Sequence, residues 1–190
     1  MLNSNFRPLC TVALPYANHQ RYMHTFDLAN PTMAEGFEDY LEPVVTLCRS
    51  AGATVGLAHM TVDEKVVVAG MSQRRPKPHV DGCFIPTEMR WGGGWNHYCN
   101  NIANGTYKRM PIIVAASVAG CRAWKGEFDG VPDGAGDLSH ISERLGEGQI
   151  LPPNVGFLLS ADCVHESMLF DRDTQRTFLR IALPVDFRFN

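Results

Sequence analysis

The chain contains no charge-free apolar run of about 18 residues, and its first eight residues (Met-Leu-Asn-Ser-Asn-Phe-Arg-Pro) hold no apolar stretch of signal-peptide type. Neither a membrane-spanning helix nor a secretory leader is expected, so the sequence reads as a soluble, cytoplasmic protein. CxxC pairs are also missing. The six cysteines, Cys10, Cys48, Cys83, Cys99, Cys121 and Cys163, are scattered through a chain long enough to need no staples, which points to free thiols. An excess of positive charge is lacking: 17 Lys and Arg stand against 20 Asp and Glu, for a net charge of −3. A nucleic-acid partner is therefore not expected. The composition also lacks the marks of disorder, since 45% of the 190 residues are hydrophobic and only 19% are charged. No repeat, low-complexity block or linker divides the chain, so residues 1–190 read as one domain. The acceptor pattern Asn104-Gly105-Thr106 has no use without a secretory route.

What is present is mostly strand pattern. Phe37, Tyr40, Leu41, Val44, Val45 and Cys48 recur at helical spacing, which predicts one amphipathic helix over Met33 to Ser50, with Pro43 set to kink or shorten it. Beyond Gly52 the β-branched content rises. Ala53 to Met60, Val66 to Ala69, Ile112 to Val118, Val155 to Leu159 and Thr177 to Val185 all read as strands. In the last of these, Arg176, Phe178, Arg180 and Ala182 share one face and Thr177, Leu179, Ile181 and Leu183 the other. Two long stretches, Pro86 to Arg109 and Asp129 to Gln149, are rich in Gly, Asn and Asp and read as irregular.

Chemistry concentrates at His79-Val80-Asp81. In an extended strand an imidazole and a carboxylate two residues apart point to the same face, a chelating arrangement. His165, just beyond the apolar run Val155–Leu159, is the candidate third ligand. Two histidines and one carboxylate cover three positions of an octahedral ion and leave three open, which suits iron(II) binding a co-substrate and dioxygen. His19, His24, His59, His97 and His140 have no comparable company and are given no role. Cys163, two residues before His165, reads as a buried core residue rather than a nucleophile or zinc ligand.

This ordered set resembles the iron(II)- and 2-oxoglutarate-dependent dioxygenases, most closely their prolyl-hydroxylase-like branch. The pattern there is HxD, a distant His, then a basic residue about ten positions on; Arg176 stands eleven residues after His165, with Arg180 as the competitor on the same strand face. Ile112–Ala116 followed by Trp124-Lys125-Gly126-Glu127-Phe128, and Pro153–Leu159 before the distal His, match the family's strand order over Pro78 to Pro184. The resemblance implies a double-stranded β-helix, or jelly-roll, spanning about residues 53–187 and supported by the N-terminal helix. It also implies Fe(II) on His79, Asp81 and His165, with 2-oxoglutarate anchored by Arg176 or Arg180. Ascorbate is the implied reductant. The implied reaction consumes dioxygen, decarboxylates 2-oxoglutarate to succinate and carbon dioxide, and hydroxylates a C–H bond of a small molecule or peptide side chain. Asp81 disfavours the family's halogenating variant, in which a small residue replaces the carboxylate. Two features depart from the branch. The strand before HxD lacks the Tyr that reaches the co-substrate, leaving Lys65 or Thr61 as stand-ins, and the insertion Gly92 to His97 matches no subfamily. With Gly92 to Gly94 as a hinge, the segment Gly92 to Asn104 is expected to cover the metal's open face.

Two other classes remain open on the same residues. A cupin-like metal hydrolase or isomerase would normally present HxH followed by Glu. A non-catalytic jelly-roll or cupin-like module would bind metal or ligand without turnover.

Overall fold

The computed structural model describes residues 1–81, 83–85, 90–92, 110–133, 136–184 and 186–189. It is mostly β, built of antiparallel sheets with one short α-helix. The chain begins with β1 (Leu2–Ser4), β2 (Phe6–Thr11) and β3 (Gln20–Asp27), then forms α1 (Leu41–Ala51). After the helix come β4 (Leu57–Val67), the short pair β5 (Cys83–Ile85) and β6 (Arg90–Gly92), and β7 (Ile112–Ala116). The chain finishes through β8 (Cys121–Ala123), β9 (Gly126–Phe128), β10 (Gln149–Ile150), β11 (Val155–Leu159), β12 (His165–Ser167) and β13 (Thr174–Ala182).

A six-stranded sheet runs β2-β11-β7-β13-β4-β3, and a three-stranded one runs β10-β8-β12. The central strand β7, Ile-Ile-Val-Ala-Ala, is buried on both faces. Ile113 and Ala115 join Met60, Val62, Leu158, Leu179 and Ile181 in a core under α1, which inserts Val44, Leu47, Cys48 and Ala51. Ile112, Val114 and Ala116 point the other way, toward Phe157, Phe178, Ala182 and Ala123 of the small sheet. The alternation of β13 thus divides as its sequence implies, with Leu179 and Ile181 under the helix and the row of Arg176, Phe178, Arg180 and Ala182 on the opposite face. Pro8 is accommodated because β2 is an edge strand.

Several boundaries differ from the sequence reading. The helix starts at Leu41, not Met33, after a 3-10 turn over Glu38–Tyr40. Pro43 falls in its first turn, where the missing N–H has no helical partner to lose, so it marks a start rather than a kink. Gly52, at φ 84°, closes it in the left-handed conformation. The two strands expected at Ala53–Met60 and Val66–Ala69 form a single strand, β4, because Asp63 and Glu64 between them are buried and partnered. β7 ends at Ala116, and β13 begins earlier and ends sooner than expected, at Thr174 and Ala182. β1, β2 and β3 had not been expected. Within Asp129 to Gln149, Ser139–Arg144 forms a 3-10 turn. The expected covering loop, beyond Gly92, lies outside the described residues. No helix among the described residues is long and apolar enough to cross a membrane.

Candidate metal centre

Residues 78–81 form a short extended segment held on both sides. His79 N–H donates to His165 O (2.9 Å) and His165 N–H returns to His79 O (3.0 Å); on the other side Val80 N–H donates to Gly136 O (3.0 Å) and Leu138 N–H to Pro78 O (2.8 Å). Residues that exchange both bonds across an antiparallel pair project their side chains to the same face. His79 and His165 therefore stand side by side, ring centroids 4.5 Å apart, and Asp81 joins them two residues along. Gly136 is required at this seam: its φ is +85°, and a Cβ there would lie 2.4 Å from Val80 O.

One nitrogen of each imidazole and one oxygen of Asp81 all lie within 4.8 Å of one another. Asp81 Oδ1 is 4.0 Å from His79 Nε2 and 3.7 Å from His165 Nε2. Both rings carry their proton on the far side: His79 Nδ1–H donates to Lys77 O (2.8 Å) and His165 Nδ1–H to Cys163 O (2.9 Å). A carbonyl can only accept, so Nδ1 carries a proton in each ring, and the two Nε2 atoms are turned toward Asp81. Burial, then His165 and Arg75, push His79 down to about 3, which keeps its ring neutral. Burial alone would raise the Asp81 carboxyl. Arg180 foremost, followed by His165, His79 and Arg75, outweighs it and holds Asp81 below the ordinary carboxylate range. Two imidazole nitrogens and one carboxylate oxygen, with each ring oriented through its Nδ1, are the donors a first-row divalent ion takes.

The two candidate arginines sit differently. Arg180 Nη1 donates to Asp81 Oδ2 (2.9 Å) and Nη2 to Met23 Sδ (3.6 Å), so its charge is matched at the site itself. Arg75 adds a second cation, 3.9 Å from Asp81 Oδ1. Arg176 is fully buried. Its Nε donates to Val118 O (2.8 Å), Nη1 to Gln73 Oε1 and Nη2 to Cys121 Sγ (3.2 Å), while Phe170 and Phe178 flank the guanidinium. No carboxylate among the described residues lies within ion-pair distance of it. Cys121, which it touches, belongs to the strand that also pairs Ala123 with His165.

Of the expected stand-ins, Thr61 faces Arg180 across the β4–β13 pair, whereas Lys65 is drawn to Asp63 (3.3 Å). His59 is buried and bonds Thr25 Oγ1 (2.9 Å). Gln73, Arg75 and Met23 escaped the sequence reading. Arg74-Arg75 just upstream of HxD was a usable sign of cations near the carboxylate; Gln73 and Met23 carried none. Neither protein-family models nor curated proteins give a match to this chain.

Proposed function

We propose that the protein is an Fe(II)- and 2-oxoglutarate-dependent oxygenase that hydroxylates a small molecule or a peptide side chain. The observation that carries this reading is the coexistence of the His79–Asp81–His165 donor set with Arg176, a buried guanidinium without a carboxylate partner among the described residues. A buried cation held only by neutral acceptors is costly, and an incoming carboxylate removes that cost. Arg176 reaches from the six-stranded sheet to Cys121 of the small sheet, two residue pairs along from Ala123 and His165. In this reading a small dicarboxylate held at the triad extends toward the guanidinium.

His79, Asp81 and His165 would hold the metal, and Arg176 would take the far carboxylate of the co-substrate. Arg180 orients Asp81, and Thr61 beside it offers a hydroxyl on the same wall. Bound Fe(II) and 2-oxoglutarate supply the chemistry, in which decarboxylation to succinate and carbon dioxide drives insertion of one oxygen atom of dioxygen into a C–H bond. The donor set suits this ion because it leaves coordination positions open.

Strand order supports a jelly-roll. From β4 onward the chain visits the large sheet at β4, β7, β11 and β13 and the small sheet at His79, β8, β10 and β12. In this reading β4, β7, β11 and β13 form one layer of the roll and the His79 segment with β8, β10 and β12 the other, while β5, β6 and β9 lie outside both. The described cysteines, Cys10, Cys48, Cys121 and Cys163, are free thiols, in keeping with a reducing cytoplasm.

The test is succinate release from 2-oxoglutarate by iron-loaded protein with ascorbate as reductant, against pooled amino acids, peptides and nucleosides. Stimulated release by one pool is expected. Metal binding without any 2-oxoglutarate consumption would instead indicate a binding module, though that reading leaves Arg176 unexplained.

A further inference from the structure

Strand β3 lies at the edge of the large sheet and does not pair evenly with β4. Arg21 pairs with Val62 and His24 with Met60, so Tyr22 and Met23 together face the single residue Thr61. This is a bulge, and Met23 within it adopts φ 55°. The left-handed conformation costs a non-glycine residue roughly 1–3 kcal/mol, and it persists only where surrounding contacts fix it.

Those contacts lead to the metal centre. Met23 N–H donates to Thr61 Oγ1 (3.4 Å), and the Thr61 hydroxyl donates to Met23 Sδ (3.6 Å). The same sulfur accepts from Arg180 Nη2 (3.6 Å), while Arg180 Nη1 holds Asp81 Oδ2 (2.9 Å). An arginine beside a carboxylate ordinarily grips both oxygens with a two-pronged fork. Here one prong is on a thioether, a weak acceptor, and Asp81 Oδ1 faces the two Nε2 atoms, with Arg75 Nη2 beyond hydrogen-bond reach at 3.9 Å.

We propose that Met23 is a positioning residue of the metal centre: it occupies the second nitrogen of Arg180, restricts Arg180 to one oxygen of Asp81 and so keeps the other for the ion. The inference rests on the metal-binding reading of His79, Asp81 and His165. Without the thioether, Arg180 turns to take both oxygens and competes with the metal.

The experiment is Co(II) titration of the full chain, followed by the visible spectrum of the bound ion, with thermal melts alongside. Met23→Gly should weaken Co(II) binding about tenfold, the scale typical of lost outer-shell support. Its melting temperature should change little, because glycine relieves the left-handed strain as thioether contacts are lost. Met23→Gln offers an amide oxygen at similar reach and should restore affinity to within about threefold of wild type. In an Arg180→Met background, Met23→Gly should have no further effect, since the two act in series. Wild-type affinity in Met23→Gly, failure of Met23→Gln to restore it, or an equal loss in both backgrounds would overturn the inference. The metal-binding reading fails separately, if Asp81→Ala and His165→Ala bind Co(II) as wild type does.

Discussion

Replacing Arg176 with methionine separates a structural arginine from one kept for a ligand. Among the described residues the guanidinium makes three hydrogen bonds and lies 5.6 and 5.7 Å from the rings of Phe170 and Phe178. Hydrogen bonds to a charged group contribute about 1.5–3 kcal/mol each, whereas burying the charge costs several kcal/mol. Methionine fills similar space and leaves Val118 O and Gln73 Oε1 unpaired, at about 1–3 kcal/mol each. The relief of charge burial offsets only part of these losses, so stability without co-substrate should fall by about 2–5 kcal/mol. With Zn(II) and 2-oxoglutarate the outcome differs. At about 100 times Kd the co-substrate stabilises the wild type by about 2.7 kcal/mol through mass action. Loss of a buried charge-assisted pair costs about 2–5 kcal/mol, roughly a 30- to 5,000-fold rise in Kd, so at the same concentration Arg176→Met should gain little or nothing. Calorimetric melts with and without 2-oxoglutarate read this directly. Equal stabilisation of variant and wild type would refute the anchor assignment.

His79→Ala, Asp81→Ala and His165→Ala each remove one of three donors and should abolish stoichiometric Fe(II) binding, measured by metal analysis after desalting. Gly136→Ala should destabilise the fold by about 2–4 kcal/mol in urea melts and weaken metal binding, because its Cβ meets the Val80 carbonyl of the HxD segment. Burial pushes the Cys48 and Cys163 thiols up to about 12. The unfolded chain releases these protons from about pH 9 and the folded chain only near 12, so stability is intact below about 9 and falls as pH rises, by about 4 kcal/mol per thiol at pH 12. Urea melts at about pH 8 and about pH 10 should show the decline, reduced in Cys48→Ala.

The HxD segment, the distal histidine and the arginine row were legible because their signal is local: two-residue spacing in an extended chain fixes which side chains share a face. The helix was legible in its apolar period, though its start depended on Pro43 fitting a first turn. The middle of β4 was not legible. Asp63 and Glu64 fall between the two strands read from the sequence, yet Glu64 accepts from Ala17 N–H (2.6 Å), His19 N–H (2.8 Å) and the Tyr40 hydroxyl, and Asp63 takes Lys65 and Arg74. Most of those partners are far away in sequence, and only the fold brings them to the strand. β3 was hidden for a related reason: Gln-Arg-Tyr-Met-His-Thr-Phe-Asp has no clean alternation, because its bulge shifts the side-chain phase partway along.

Gln73 offers a further test of the unneutralised charge on Arg176. Its side chain is buried; Oε1 accepts from Arg176 Nη1, and Nε2 donates to the backbone carbonyls of Asp63 and Arg176 (3.3 Å to the latter). Gln73→Glu keeps the shape and places a carboxylate against the guanidinium. The attraction gained, about 4 kcal/mol at an effective dielectric of 20 and 4 Å, is offset by two carbonyls that lose their donor and now face an anion. Folding stability should therefore move little. Co-substrate binding should move much more, because an internal carboxylate already satisfies the charge an incoming one would meet, and a loss of about 2–3 kcal/mol corresponds to roughly 30- to 150-fold weaker 2-oxoglutarate binding. Isothermal titration on Zn(II)-loaded protein measures it. Wild-type affinity in Gln73→Glu, with the fold intact by melting, would mean that 2-oxoglutarate does not neutralise Arg176, and the anchor would have to be sought elsewhere on the chain.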